Sequence, residues 1–396
     1  MSFPLSACRQ AESGNDTKVC YNIIMGIFTL PSKSPLGIDI SDLSLKLVQL
    51  KKTRRGIFMQ ALSRIEVPEN YIDSGIIKNR KGVLALLQKM LKETIFGKIT
   101  SREAVASLPE VKTFAKLIAV DYSGKNLGRA VEHEMEKHIP FDPHDINYDW
   151  QLIKKEGGIK KILINVAPKN IADDYAGLLI AAGLIPVALE IEAVSICRSI
   201  LPPAHCAKGT TFIVDVGATR SSLIAYAGGS ILFTISLPVS GKKYTKIIAE
   251  KLGLSPEKAE AAKIICGLNQ KAAEGIIAKI LEEMTSELVK KIKTGISYLN
   301  THYPEFGHVS QIYLCGGGAN LEGLDAILTK KITIDTSIGN IFTNIEMSQR
   351  QENKYFQEEL ATLKKIAANN RHTQNFSPTF AVAVGLALRN IYTDEI

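Results

Sequence analysis

Two segments far apart in the chain repeat one arrangement of residues able to hold a phosphate. LGIDISDLSLKLVQL (36–50) and FIVDVGATRSSLIAY (212–226) each run apolar residues, an Asp, one residue, a small residue, a polar turn and a second apolar strand. Two such β-turns facing each other would grip a polyphosphate from both sides through backbone N–H groups. A carboxylate beside a phosphate is repelled unless a hard cation lies between them, so Asp39 and Asp215 are expected to be direct or outer-sphere Mg²⁺ ligands. Lys46, on the strand returning from the first turn, has the reach for β and γ phosphates as a point charge. Either hairpin alone reads equally well as an ordinary tight turn with a turn-favouring Asp.

Three further groups carry chemistry in combination and little alone. In IYLCGGGANLEG (312–323), Gly316, Gly317 and Gly318 leave an apolar strand for a helix, where missing β-carbons admit a flat ligand and a helix start favours negative charge; simple packing would also explain them. Glu260 and Lys263 in EKAEAAKII are one helical turn apart, spaced to hold a ribose and a base edge or to form a plain surface pair. Glu192 stands where a strand runs into a helix, placed to orient a hydrolytic water or simply to start the helix.

Behind these residues the hydrophobic rhythm predicts the elements that hold them. LGIDI, LKLVQLK and GIFMQALSRIEV read as three hairpin-connected strands, followed by a helix over 81–94. A compact α+β segment comes next: strands EAVASLP and FAKLIAV, a helix over 127–138, strands YDWQLIK and KILINVAP, and a helix over 171–182. PVALEIEAVSICRSIL then returns as strand into helix, and the breaker Pro202-Pro203 with AHCAKGT suggests an inter-lobe boundary. The second lobe opens with three strands and becomes helical after Gly241, with a long amphipathic stretch over 272–299. A strand ends at the glycines, a helix starts near Leu321, and SPTFAVAVGLALRNI reads as a last helix.

Composition narrows the classes. At 396 residues, 45% hydrophobic and 22% charged, the chain has room for two lobes. The net charge of +8 is spread along the sequence without a basic block, which gives a nucleic-acid partner little support and leaves a solvated mixed surface or attraction to an anionic membrane. Six cysteines without C-x-x-C spacing fit buried thiols in a reducing cytoplasm. No apolar run is long enough to span a membrane, and residues 1–24 lack a secretory signal pattern; Met25 is the expected biological start.

The order of the groups is more telling than any one of them: Asp hairpin, returning acidic residue, Asp-x-Gly hairpin, E-x-x-K helix, triple glycine. This order resembles the phosphate 1, connect 1, phosphate 2 and adenosine motifs of the actin, heat-shock chaperone ATPase and sugar kinase superfamily. Within it, LGIDISDLSLKLVQL, HEMEKHIPFDPHDINYDWQLI, AAGLIPVALEIEAVSI, VDVGATRSSL, CGGGANLEGLDAIL and FAVAVGLALRNI resemble the type IV pilus assembly protein PilM family. The resemblance implies an α/β, actin-like (ribonuclease H-like) two-lobed ATPase fold with an FtsA-like 1C insertion in the first lobe.

Its expected divisions are a tail (1–34), subdomain 1A (35–99), the 1C insertion (100–183), the 1A return (184–208), 2A (209–240), 2B (241–296), 2A again (297–376) and a C-terminal helix returning to 1A (377–396). It implies that Asp39, Ser41, Lys46, Asp215 and Gly217 face phosphates and magnesium, and that Glu260, Lys263, Gly316, Gly317 and Gly318 meet adenosine. Glu192 is the expected catalytic carboxylate, with ATP turnover slow or absent. The implied role is docking on the pilus inner-membrane assembly platform by binding the N-terminal cytoplasmic tail of a PilN-like bitopic protein between 1A and 1C, as a cytoplasmic protein peripheral to the membrane; self-association stays open. Rival readings on the same fold are a small-molecule kinase, which would need a base and substrate pocket in the first lobe, and an FtsA-like filament-forming division protein, for which a C-terminal amphipathic helix is expected.

Overall fold

The computed structural model describes residues 34–54, 56–122, 126–202, 209–237, 239–345, 377–389 and 391, so the expected tail and Met25 start lie outside the described residues. The chain divides into two compact units, one drawn from residues 1–199, 229–233 and 382–396, the other from 200–228 and 234–381.

The first unit begins with the expected meander, β1 (Leu36–Ser41), β2 (Ser44–Thr53) and β3 (Gly56–Glu66), and the helix α1 (Arg80–Lys92). The Asn79 side chain caps α1 by accepting from the Gly82 N–H, which fixes where the helix starts. Strand β4 (Glu103–Leu108) pairs parallel with β1, so it belongs to the first sheet and not with the insertion's strands.

In the insertion β5 (Phe114–Asp121), β6 (Ile146–Glu156) and β7 (Ile159–Pro168) pair side by side, with β7 between the other two. Helix α2 (Leu127–Glu136) covers them, and Val131 and Met135 pack with Ile118, Val120, Ile162 and Ile164. Helix α3 (Lys169–Ala181), read from sequence as the end of the insertion, instead buries Tyr175, Leu178 and Leu179 with Leu36 and Ile38 in the first sheet's core. Both ends of the segment 100–183 are therefore built into the first sheet. An unbroken strand-helix rhythm carries no record of which sheet each strand joins.

β8 (Ile185–Ile191) pairs parallel with β4 at the sheet edge and leads directly into α4 (Glu192–Ile200). Across β8, β4 and β1 the carboxyl ends therefore share one edge of the sheet, the place where open α/β sheets receive ligands.

The opening theme recurs with β9 (Thr210–Val216), β10 (Ser221–Ala227) and β11 (Ser230–Leu237). Helices α5 (Gly241–Leu252), α6 (Pro256–Cys266) and α7 (Ile276–His302) follow. α7 starts later than its apolar pattern suggests, because Ala273 and Glu274 take positive φ (46° and 54°) and break the turn ahead of it. β12 (Val309–Cys315) pairs parallel with β9, and α8 (Leu324–Ile332) and β13 (Thr336–Ile338) complete this part.

The last helix, α9 (Ala381–Leu388), is apolar throughout and lies in backbone contact with the first sheet. A β-carbon on Gly37 would stand 2.2 Å from the Ala383 carbonyl oxygen, and one on Gly385 would stand 1.8 Å from that of Ser195. Only glycine permits approach that close.

Candidate functional site

Asp39, Ser41, Lys46 and Glu192 lie in the first unit, at the carboxyl edge of its sheet. Asp39 and Lys46 are register partners across β1 and β2, and both are buried. The Lys46 ammonium donates to the Asp39 carboxylate at 2.7 Å and to the Ser41 hydroxyl at 3.3 Å. Lys46 is thus the resident counter-cation of Asp39 rather than a free arm. Asp42, one residue beyond the strand, accepts the Ser74 and Gly75 N–H groups at 3.2 and 3.0 Å, pinning the neighbouring turn.

Glu192 is the first residue of α4 and half-buried. Burial pushes the Tyr175 phenol well above its ordinary value, and the negative charges of Glu192, Asp42 and Asp39 push the same way. Its hydroxyl donates to the Gly75 carbonyl at 3.0 Å.

The other predicted residues lie in the second unit and form a connected set. Asp215 sits on β9 two residues before Gly217, half-buried, and pairs in register with Cys315 on β12. The Cys315 thiol lies 3.7 Å from its carboxylate. A β-carbon on Gly316 would meet Asp215 Oδ1 at 2.2 Å, and one on Gly318 would meet Val216 Cγ1 at 2.3 Å. Those two glycines let the loop lie on the end of β9, whereas a β-carbon on Gly317 would have, among the described residues beyond its chain neighbours, only Thr379 near it, at 3.8 Å.

The turn after β9 also receives α5. The Gly217 and Ala218 carbonyls accept the Gly241 and Lys242 N–H groups at 3.0 and 2.8 Å. On α6, the Lys263 ammonium donates to Glu260 at 2.7 Å, to the Thr245 hydroxyl at 3.0 Å and to the Gly241 carbonyl at 3.1 Å. Thr245 also bonds Glu260. The E-x-x-K pair is therefore no isolated surface bridge: it clamps α6 onto the start of α5, which is itself tied to the Asp-x-Gly turn. Sequence reasoning missed Gly241 and Thr245, although SGKKYT (240–245), with Ser240 capping α5, was the signal for them.

A family model, Type IV pilus assembly protein PilM, matches residues 37–391. The chain belongs to the PilM family. Among solved structures, the PilM-PilN type IV pilus biogenesis complex matches with a TM-score of 0.72 at 24% identity, covering 90% of this chain and 98% of that one. The ethanolamine utilization protein EutJ from Carboxydothermus hydrogenoformans matches with a TM-score of 0.51 at 14% identity, covering 92% of each chain. Both likenesses concern the fold, which is the expected actin-like one.

The cell division protein FtsA of Escherichia coli K12 is 26% identical over 152 residues, which cover 32% of this chain and 36% of that protein. The chain thus spans about a third of the length of the curated relatives it matches. Among the described residues, no helix is long and apolar enough to cross a membrane. PilM membership makes this an actin-like protein of type IV pilus assembly.

Proposed function

We propose that this protein binds Mg-ATP and, as part of the pilus inner-membrane platform, binds the cytoplasmic N-terminal tail of a PilN-like bitopic membrane protein along subdomains 1A and 1C. The observation that carries the nucleotide half is the second unit's chain of contacts from Asp215 through Gly217 and Gly241 to Lys263 and Glu260. It joins the residues expected at phosphate to those expected at adenosine. Asp39 in the first unit and Asp215 in the second each carry hard oxygen donors of the kind magnesium prefers, and Lys46, already held at Asp39, would supply positive charge for phosphates. Glu192 would orient water if turnover occurs, and Gly316, Gly317 and Gly318 would admit the adenine face.

The partner half is supported by family membership and by the likeness to a PilM-PilN complex. An extended tail would gain main-chain hydrogen bonds from an open strand edge, and β6 is the outer strand of its sheet.

The test is Asp215→Ala. Loss of one charged contact of this kind costs about 1.5–3 kcal/mol, so ATP affinity measured by calorimetry with magnesium should fall roughly 10–100-fold with the circular dichroism spectrum unchanged. Wild-type affinity in that variant would remove the phosphate assignment. Capture of the tail peptide by Asp215→Ala in the absence of nucleotide should be undiminished.

A further inference from the structure

The turn between β6 and β7 carries the densest positive charge of the insertion, KKEGGIKK at 154–161. Gly157 and Gly158 form a tight two-residue turn, with Gly157 at φ 58°. Pairing places Lys154 opposite Lys161 and Lys155 opposite Lys160. Like charges directly opposite each other on a ladder are destabilising, so this pattern costs the hairpin stability that neutral residues would keep. The acidic groups beside it are Glu156, in register with Ile159 and paired to Lys154 at 2.5 Å, and Asp121, opposite Ile159 on β5. Four lysines against these two carboxylates leave two positive charges in excess. Lys160 turns back to the Gly157 carbonyl at 2.9 Å, keeping its charge at the turn.

At the tip, beyond the paired lysines and opposite Glu156, stands an apolar side chain. Ile159, the first residue after the glycines, is 45% exposed, and among the described residues nothing beyond its chain neighbours lies within 4 Å of where a β-carbon on Gly157 would be. A protruding β-branched residue at the tip of a hairpin whose strands carry four long amphipathic cations matches a lipid interface, where the apolar tip enters the headgroup boundary and the lysine stems stretch along it with their charges at the phosphates.

We propose that the 154–161 hairpin is a contact site for an anionic lipid surface, with Ile159 as the inserting residue and Lys154, Lys155, Lys160 and Lys161 as headgroup ligands. It goes beyond the nucleotide and partner-tail reading and needs neither ligand. A hairpin with so small an excess charge gives weak attachment by itself, suited to orienting a protein already recruited by a membrane partner.

The experiment is sedimentation of the full chain with phosphatidylcholine vesicles made with and without phosphatidylglycerol. Each lysine near an anionic surface is worth roughly fivefold in partitioning. Lys154→Glu/Lys161→Glu should therefore reduce binding to the anionic vesicles by at least about tenfold, and Ile159→Ser should reduce it at constant charge. Lys290→Glu/Lys291→Glu, an equal charge change on exposed positions of α7, should leave binding within about twofold of wild type.

Trp150 is the single tryptophan, so Trp150→Phe/Ile159→Trp places the sole indole at the turn. Its emission should shift to the blue on anionic vesicles and not on neutral ones. Equal loss of binding in the α7 variant, or an unshifted indole on vesicles that do bind the protein, overturns the proposal. An acidic protein partner at this hairpin would give the second of those results.

Discussion

The pair Asp39–Lys46 concentrates the chemistry of the first unit in one contact. Both side chains are almost sealed from water, 6% and 9% exposed, so each charge depends on the other. Removing one partner of such a buried pair leaves an uncompensated charge and costs about 3–5 kcal/mol, whereas replacing both by apolar or neutral groups costs far less. Lys46→Met should therefore lower the urea midpoint strongly, and Asp39→Asn/Lys46→Met should recover most of it while still failing to hold nucleotide. A single variant as stable as wild type would show that the two charges do not depend on each other. The identities of these residues were legible in the sequence, because a strand-turn-strand of fixed register determines that position 39 faces position 46. Their mutual occupation was not, since the sequence offered Lys46 as an arm for phosphate and could not say that its first partner is a carboxylate in the same hairpin. Lys263 teaches the same lesson: its spacing to Glu260 was plain, but its bonds to Gly241 and Thr245 depend on how two helices pack.

Elements of the first unit are tied together by a second buried charge group that periodicity did not reveal. Glu190 on β8 is 4% exposed and accepts two bonds from the Arg198 guanidinium of α4, at 2.8 and 3.0 Å; Arg389, just past α9, lies 3.3 Å away. Arg198 also donates to the Gly385 carbonyl at 2.8 Å, so strand, helix and C-terminal helix meet at one carboxylate. Burial would raise the Glu190 carboxyl, but the Arg198 and Arg389 charges outweigh it and hold the group below its ordinary value of 4.5. A depressed carboxylate stabilises the fold fully above its unfolded value, and that contribution disappears as pH falls through the folded one. Thermal stability should thus be flat from neutral pH to about 5 and decline below it on this account, and Glu190→Gln should be less stable at pH 7 with a shallower acid decline. An unchanged acid limb in Glu190→Gln would move the origin of acid sensitivity elsewhere. Sequence showed both LEIEAVSICRSIL and FAVAVGLALRNI as elements, and their boundaries agree with the structure to within a few residues. What it lacked was the long-range meeting of residues 190, 198 and 389, for which neither periodicity nor spacing has a signal.

For the whole molecule, the actin-like architecture was legible because it is written twice, as two Asp-bearing hairpins whose strands recur with the same polar turn. The insertion was harder to bound, since β4 and α3 look like its members in sequence and are committed to the first sheet by pairing and packing. In the function proposed above, one chain binds both a nucleotide and a partner tail, and this has a thermodynamic consequence. If Mg-ATP favours the conformation that holds the tail, the two ligands are coupled, and the coupling must be reciprocal: whatever factor ATP adds to tail affinity, the tail adds to ATP affinity. A factor of roughly 5–150 is the usual range for such coupling. Titrating the tail peptide with and without Mg-ATP, and ATP with and without the peptide, should give equal ratios within error. Asp215→Ala should abolish the ratio while leaving the nucleotide-free tail affinity intact, because the function proposed above gives that residue to the phosphate end alone. Tail binding indifferent to Mg-ATP in the wild type would mean that nucleotide holds the fold in one arrangement without acting as a lever, and the pilus partner would then be bound by a protein whose ATP is structural.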